Sequence, residues 1–233
     1  IIDVMDNSTI YSKSIWFKTD YNVDPGRLIY KRNGLTYNNG KVVATRHDIN
    51  DNYCDVDSLS VYDDNEWHHA AWTWDSGNLS LYMDGGYVGS CQTAQPRGDD
   101  SGQPVVIGAN SWAKGQNFEG KIDEPRVYPY TLSADKVREI YNSGAQNFGG
   151  ATDTEYRDLE TNEGRKVAEY GFNTGDASTA FDSSYNENHG TYDNIELRES
   201  SECVIGSCIY FSGDQNDGVD VAHDSSLDIT EEL

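Results

Sequence analysis

One stretch of the sequence, residues 65–90, constrains the fold more than any other. Within Trp67–Trp74, read with a period of two, both alternating sets carry apolar or aromatic side chains, which predicts a β-strand covered on both faces. Turn formers at 75–78 end this strand, and residues 79–83 resume the alternation. The Asp-Gly-Gly turn at 84–86 then leads into a third short strand. The stretch therefore predicts a meander of antiparallel strands.

The composition favours a turn-rich β protein over a disordered chain. The 233 residues are 36% hydrophobic and include 22 glycines, 16 tyrosines and 5 tryptophans. No run of about 18 apolar residues occurs, so we expect no membrane insertion. The sequence opens on the strand-like pattern Ile1-Ile2-Asp3-Val4, which indicates a fragment or a processed product.

The net charge of −23 bears on partners and on the source of the protein. Only 17 lysines and arginines are present, and phosphate binding requires clustered basic groups, so nucleic acid is not an expected partner. Excess carboxylates increase solubility, and they are also typical of adaptation to high salt, where screening weakens their mutual repulsion. We favour the second interpretation, a halophilic source.

Two long motifs carry a resemblance to a known family. Residues 67–88 resemble the central hairpin of the laminin-G-like, concanavalin A-like jelly rolls, and residues 106–109 with 118–128 resemble their closing strand. Pro125 departs from the hydrophobic or acidic residue usual at that place. Residues 131–141 resemble the short helix that follows. The resemblance implies an all-β fold, an antiparallel jelly-roll β-sandwich with one short helix.

The helix also has local signals of its own. Ser133 matches an N-cap and Gly144 matches the residue after a helix end, so we predict a helix over 133–142. Val137 and Ile140 share one face, which should dock on the sandwich.

The resemblance divides the chain into two incomplete parts. Residues 1–144 resemble a jelly roll that lacks its N-terminal strands, and residues 167–233 resemble the N-terminal part of such a domain. Residues 145–166, rich in glycine, threonine and charge, read as a linker. The second part is expected to complete the first, within one molecule or in a neighbour. A cut from a longer tandem array would give the same pattern.

Completion within one sandwich makes a specific pairing prediction. Residues 167–173 should pair antiparallel with residues 121–128, as the first and last strands. Val219-Asp220-Val221 echoes Ile2-Asp3-Val4, so the two segments would compete for one slot. The displaced strand could pair with another copy of the chain. A structural subunit that assembles by strand exchange into oligomers or filaments is therefore our second functional hypothesis.

The sequence gives little support for catalysis. The concanavalin-like fold also hosts glycoside hydrolases, whose carboxylates alternate along one strand as Glu-x-Asp-x-x-Glu, and no such run occurs. Asp123 and Glu124 are adjacent and so point to opposite faces. His68 and His69 lie in the family's structural strand, which favours packing and hydrogen bonding over a base or metal role. We predict a non-enzymatic protein.

Calcium is the cofactor that the resemblance suggests, because many relatives carry a structural calcium ion. Carboxylates in loops suit this cation. The candidate ligands are Asp123 at the closing strand, Asp182 in an Asp-Ser-Ser loop, and Asp214 or Asp217 after the Phe-Ser-Gly segment. Asp123 and Asp182 could converge, since the first and last strands of a jelly roll are neighbours. In a chain with 40 acidic residues, simple solvation of these groups is the alternative.

The four cysteines are expected to form two disulfides, because the family is mostly extracellular and the count is even. Cys203 would pair with Cys208 and Cys54 with Cys91. Buried free thiols are the alternative, and metal ligation is disfavoured because no Cys-x-x-Cys pair exists. The expected location is extracellular or at the cell surface.

Aromatic residues in loops are the candidates for ligand binding. Trp112 and Asn110 share one loop, and Tyr53 lies in residues 47–58, a segment rich in Asp and Asn that reads as an exposed loop. Such rings stack on sugars, although Trp112 could instead cover the edge of the core. The leading prediction is a non-catalytic extracellular binding or adhesion module whose partner is a glycan or a cell-surface protein.

Overall fold

The computed structural model describes most of the chain. The described residues are 10–21, 25–31, 33–47, 53–93, 104–109, 116–146, 166–173, 178–184, 186–198, 200–214, 216–222, 224 and 227. They form sixteen strands, a helix α1 (Ala134–Gln146) and a 3-10 turn at Ser200–Glu202. They contain no helix whose length and hydrophobicity would let it traverse a lipid bilayer.

The strands assemble into two antiparallel sheets. In chain order they are β1 (Ile10–Lys18), β2 (Gly26–Lys31), β3 (Asn33–Asn38), β4 (Lys41–His47), β5 (Tyr53–Asp57), β6 (His68–Asp75), β7 (Asn78–Met83), β8 (Gly86–Gln92), β9 (Val105–Ile107), β10 (Glu119–Tyr128), β11 (Ala168–Glu169), β12 (Thr179–Ala180), β13 (Gly190–Asp193), β14 (Glu196–Arg198), β15 (Cys208–Ser212) and β16 (Gly218–Val221). Sheet A has the order β14-β15-β10-β1-β6-β7-β8, with β11 also paired to β10. Sheet B has the order β12-β13-β16-β9-β2-β3-β4-β5. The two sheets enclose a common hydrophobic core, which confirms the predicted jelly-roll β-sandwich.

Strand β6 is covered on both faces, as its sequence predicts. Trp72 and Trp74 belong to the core between the sheets and are at most 1% exposed. On the opposite face, Ala71 packs with Val137 and Ile140 of α1. A strand buried by a sheet on one side and a helix on the other needs apolar residues at nearly every position.

Helix α1 begins as predicted and ends later. The hydroxyl oxygen of Ser133 accepts a hydrogen bond from the backbone N–H of Lys136 at 3.2 Å, as an N-cap does. The helix then continues through Gly144 to Gln146 and takes the first two residues of the predicted linker. A Cβ at Gly144 would lie 2.5 Å from the indole of Trp16, so this glycine serves close helix–sheet approach and not a helix end.

The two sequence parts share sheet A. Strand β10, from the first part, pairs along one edge with β1 and along the other with β15 and β11. Val127 pairs with Ala168, and the backbone N–H of Tyr170 donates to the carbonyl of Pro125 at 3.2 Å. The predicted antiparallel pairing of residues 167–173 with 121–128 is therefore confirmed in part, within a single chain: residues 167–170 pair with 125–127, whereas Lys121 and Ile122 pair with β15.

Sheet B is shared in the same way. Strand β16 lies between β13 and β9, where Val219 pairs with Ile107 and Val221 with Val105. This is the slot for which Ile2-Asp3-Val4 was expected to compete. That segment lies outside the described residues, so the competition stays a prediction.

Both predicted disulfides are confirmed. Cys54 of β5 is bonded to Cys91 of β8, with a Cα–Cα distance of 5.8 Å, so the edge strands of the two sheets are cross-linked. Cys203 and Cys208 close a short loop that leads into β15. The reading of residues 47–58 as a loop was wrong in part. Residues 53–57 form β5, with Cys54 and Val56 facing the core and the alternate residues exposed.

Candidate functional site

Asp123, a predicted calcium ligand, is completely buried. Its Oδ1 accepts the backbone N–H of Glu124 at 2.9 Å, and its Oδ2 accepts those of Val204 at 2.9 Å and Ile205 at 3.1 Å. Burial raises the pKa of Asp123, the charge of Glu124 raises it further, and the three amide hydrogen bonds oppose this rise. The side chain thus fastens the disulfide-closed loop to β10.

Asp182 is engaged in the same manner. Its Oδ1 accepts the backbone N–H groups of Glu169 at 2.7 Å and Ser184 at 2.8 Å. Its Oδ2 accepts the backbone N–H of Asn188 at 2.8 Å and the hydroxyl of Ser184 at 2.7 Å. Four donors around one carboxylate hold the 182–188 loop against β11.

Asp217 follows this pattern, whereas Asp214 does not. The Oδ2 of Asp217 accepts the backbone N–H of Ser212 at 2.5 Å and its hydroxyl at 2.6 Å, and Oδ1 accepts the amide of Asn194 at 2.7 Å. Asp214 is exposed, and its backbone carbonyl, not its carboxylate, accepts the side-chain amide of Asn117.

The four predicted ligands do not fit a calcium site. Calcium takes six to eight oxygen ligands, but the buried carboxylates already face N–H and O–H donors that a cation would have to displace. No group of three or more His, Cys, Asp or Glu among the described residues could hold a metal ion. The turns that suggested calcium instead supply backbone N–H groups, and the carboxylates satisfy them. Calcium binding elsewhere in the chain stays a prediction.

A second candidate lies on the outer face of sheet B. One row of directly paired residues crosses all eight strands: Asp55, Thr45, Gly34, Tyr30, Val106, Asp220, Thr191 and Thr179. The neighbours of the row along each strand include core residues, so the row faces away from the core. Its two ends are accessible to solvent and its middle is buried.

A β-bulge shapes the centre of this face. The register of β2 with β3 shifts between Arg27 and Ile29, so Leu28 and Ile29 both lie in the core. Arg27 and Tyr30 therefore share the outer face, and the guanidinium carbon lies 4.1 Å from the centroid of the Tyr30 ring. A Cβ at Gly34 would lie 2.1 Å from the carbonyl oxygen of Ile29, so only glycine fits opposite the bulge.

The exposed end of the face is aromatic and acidic. Tyr53 at the start of β5 is 65% exposed, and its ring centroid lies 4.2 Å from that of His47 on β4. Asp55 and Asp57 follow at alternate positions of β5 and project to the same side. We refer to the following six residues as the Tyr53 face: Arg27, Tyr30, His47, Tyr53, Asp55 and Asp57.

The charged groups of the Tyr53 face influence one another. Asp55 is exposed at the surface, but partial desolvation of its carboxyl group raises its pKa. The charge of Asp57 adds to this rise, whereas a hydrogen bond from Thr45 and the charge of Arg27 oppose it. Burial lowers the pKa of Arg27, and the two tyrosines and Asp55 act to raise it. The face thus combines an exposed ring with hydrogen-bond acceptors and one guanidinium.

Gln116, which follows the segment of Asn110 and Trp112 in the sequence, is bound beside this face. The backbone N–H of Arg27 donates to the carbonyl of Gln116 at 3.1 Å, and the Arg27 Nη2 donates to the side chain of the same glutamine at 2.8 Å. Asn110 and Trp112 themselves lie outside the described residues. Of the three predicted ligand residues, the structure therefore places Tyr53.

The sequence reasoning missed the partners of Tyr53 on this face. One signal was available: from Tyr53 to Asp57, polar and apolar residues alternate with the period of a half-buried strand. The position of Arg27 over Tyr30 had no such signal, because it depends on the bulge.

Comparison with known proteins supports the fold. A family model of laminin G type, from the concanavalin A-like lectin/glucanases superfamily, matches residues 3–138. No curated protein matches the chain significantly. Among solved structures, a Bacteroides ovatus protein provisionally assigned as carbohydrate binding is 16% identical, with a TM-score of 0.56 over 78% of this chain and 51% of its own.

Two bacterial binding domains are also similar. The binding domain of Paraclostridial Mosquitocidal Protein 1 is 17% identical, with a TM-score of 0.47 over 91% of this chain and 55% of its own. The binding domain of botulinum neurotoxin DC, solved with SialylT, is 14% identical, with a TM-score of 0.44 over 58% of this chain and 36% of its own. This chain spans at most 55% of these three chains.

The family match covers more than half of the 233 residues. The two antiparallel sheets and their shared core agree with it. The chain therefore belongs to the laminin G type of the concanavalin A-like lectin/glucanases superfamily.

Proposed function

We propose that the chain is a non-catalytic carbohydrate-binding module. The observation that carries this proposal is the exposed ring of Tyr53 with Asp55 and Asp57 on the same side of β5. Aromatic rings stack on the apolar faces of pyranoses, and carboxylates accept hydrogen bonds from sugar hydroxyls. The adjacent ring of His47 widens the contact surface. Membership in a superfamily that includes lectins supports the same class.

The disulfides support an extracellular or cell-surface setting for this module. Both pairs of cysteines are bonded, and such bonds persist in oxidising compartments. A glycan on a cell surface is the partner that this setting supplies, and binding to it would make the chain an adhesion module. A cell-surface protein is the alternative partner.

A matched pair of tyrosine variants tests the proposal. Tyr53→Ala should weaken glycan binding at least about tenfold, because it removes the stacking ring. Tyr87→Ala is the control, since Tyr87 is 59% exposed but lies on β8 of sheet A. Equal binding by both variants, measured by calorimetry on a hit from a glycan array, would exclude the Tyr53 face. Trp112→Ala and Asn110→Ala test whether the segment that precedes Gln116 contributes.

Assembly by strand exchange is a second candidate. The two sequence parts pair in both sheets, and residues 147–165 between them lie outside the described residues. The same pairing between two molecules would satisfy the same strand edges. Light scattering over a hundredfold range of protein concentration tests this candidate, and a monomer at every concentration would exclude it.

One observation favours glycoside hydrolysis as a third candidate. Asp55 and Asp57 project from the same side of β5 about 6.6 Å apart along the strand, which is in the range of hydrolase carboxylate pairs. Partial desolvation raises the pKa of Asp55, as an acid catalyst requires. The test is an assay for reducing ends released from a glycan that the array identifies as a ligand. Activity that Asp55→Asn abolishes would overturn our proposal of a non-catalytic module.

A further inference from the structure

The charged groups that a ligand on Tyr53 would meet first are carboxylates. Asp55 and Asp57 are both exposed, at about 6.6 Å intervals along β5 from Tyr53. An acidic sugar bound here would therefore lie close to like charges.

The single arginine of the face is already engaged by the protein. Its guanidinium stacks on Tyr30, its Nη2 donates to Gln116, and Asp55 lies within its electrostatic reach. Most of the side chain is shielded from solvent, which is why burial lowers its pKa. An incoming carboxylate or sulfate would have to draw Arg27 away from these partners before pairing with it.

The charge of the whole chain acts in the same direction. With a net charge of −23, the surface repels anions over the Debye length, which is about 10 Å at 0.1 M salt and about 3 Å at 1 M. The carboxylates of the Tyr53 face lie within about 10 Å of a ligand bound there, so they act on it at 0.1 M salt, but at 1 M salt their effect is largely screened. Any charge discrimination by this face should therefore depend on salt.

We infer that the Tyr53 face selects neutral glycans and rejects the same glycans when they carry a carboxylate or a sulfate. This inference rests on the proposed carbohydrate-binding function and adds the ligand class to it. If Asp55 and Asp57 each lie about 7 Å from an acidic group on the glycan, their repulsion corresponds to a preference of about tenfold for the neutral glycan at 0.1 M salt.

The test uses matched glycans that differ in one acidic group, for example an oligosaccharide with and without a terminal sialic acid. Titration of the full chain at about 0.1 M salt should show about tenfold tighter binding of the neutral member. At about 1 M salt the ratio should approach one, because screening removes the repulsion. Circular dichroism at both salt concentrations establishes that the chain is folded.

Two double variants locate the effect. Asp55→Asn with Asp57→Asn should bring the ratio toward one at low salt. Asp135→Asn with Glu139→Gln removes the same charge from α1 and should leave the ratio unchanged. If the first variant loses all binding, the salt dependence of the wild-type ratio decides the question.

Failure of this inference differs from failure of the proposed function. Equal or tighter binding of the acidic glycan at low salt, or a ratio that is independent of salt, overturns the charge selection and leaves carbohydrate binding intact. Absence of binding to every glycan overturns the proposed function, and the inference with it.

Discussion

His68 and His69 are consecutive residues of β6 that project to opposite faces of sheet A and meet opposite environments. The Nδ1 of His68 lies 2.9 Å from Asp84 and its Nε2 lies 3.1 Å from Asp64. His69 is fully buried, its ring lies 5.2 Å from Trp16, and neither of its nitrogens has a hydrogen-bond partner among the residues that the structure describes. As predicted, both histidines have structural surroundings: His68 forms hydrogen bonds, and His69 packs in a buried position.

Replacing His69 should make the fold less sensitive to acid. Burial, followed by the charge of Arg126, lowers the pKa of His69 to about 3, whereas the unfolded residue titrates near pH ~6.5. The unfolded state therefore binds a proton first, and stability is lost as pH falls below about 6.5, by at most about 1.4 kcal/mol per pH unit. His69→Phe fills a similar volume without the unpartnered nitrogens. We expect undiminished stability at pH 7 and a shallower loss down to pH ~4 by urea unfolding.

His68→Gln provides a control of opposite sign. Burial lowers the pKa of His68, but the hydrogen bonds and charges of Asp84 and Asp64 outweigh burial, and the net pKa is raised. The stabilisation of the folded state by protonated His68 is complete below about pH 6.5 and is lost as pH rises through the pKa of His68 in the folded state. The variant should therefore lose more stability at acidic pH than at alkaline pH. A wild-type pH slope in His69→Phe would refute the assignment of acid sensitivity to His69.

Removing the two disulfides should have unequal costs. Cys54 and Cys91 are 37 residues apart and Cys203 and Cys208 are 5 apart. Chain entropy then predicts losses of about 4 kcal/mol for the first pair and about 2 kcal/mol for the second, measured by denaturant unfolding of the paired serine variants. A greater cost for the shorter loop would contradict this account. Recovery of four alkylatable thiols from the wild type would refute both bonds.

Removing salt should destabilise the fold. Forty acidic residues against 17 basic ones repel one another more strongly in the compact state, and this repulsion is screened at high ionic strength. The melting temperature should rise from about 0.05 M to about 2 M potassium chloride. An uncharged osmolyte at equal osmolality serves as the control. A melting temperature that does not change with salt would count against the halophilic interpretation.

Breaking the ion pair between β10 and β11 should be costly. The Nε of Arg126 donates to Glu169 at 2.8 Å, its Nη2 donates to Glu124, and Lys166 donates to Glu169 at 2.5 Å. Glu169→Ala removes the carboxylate that both Arg126 and Lys166 contact, and it should lower the free energy of unfolding by about 3 kcal/mol. Arg126→Met should also be costly, because it leaves the buried Glu124 without its cation, and the double variant should cost less than the sum of the two single variants. A coupling energy below about 0.5 kcal/mol in the double-mutant cycle would show that the Arg126–Glu169 ion pair does not contribute to holding the two parts together.

The fold could be predicted from the sequence where local patterns and tertiary contacts agree. The double-sided burial of Trp72 and Ala71 follows from the apolar content of both alternating sets in β6. The pairing of Val127 with Ala168 follows from the recognition of two complementary incomplete parts. Gly144 was misread because a glycine at a helix end and a glycine at a close contact look alike in sequence.

The candidate site was less predictable for two physical reasons. A carboxylate in a tight loop can bind a cation or accept backbone N–H groups, and which of these it does depends on where the rest of the chain places its N–H donors. The backbone N–H of Val204, for example, donates to Asp123 from 81 positions away in the sequence. The stacking of Arg27 on Tyr30 depends on a one-residue shift in pairing, which sequence periodicity does not reveal. The exposure of Tyr53 could be predicted, because a tyrosine among polar residues is visible without tertiary information, and its role in binding stays a prediction.

The sharing of β10 between the two parts determines the order of events at the ribosome. Ile122 pairs with Ile209 and Val105 with Val221, so the Ile122 end of β10 and the edge of β9 are paired only by residues synthesised about a hundred positions later. At about 5–20 residues per second, the nascent first part spends at least several seconds with two open strand edges. During that interval its apolar faces are available to chaperones and to neighbouring nascent chains, until β15 and β16 emerge and pair with β10 and β9.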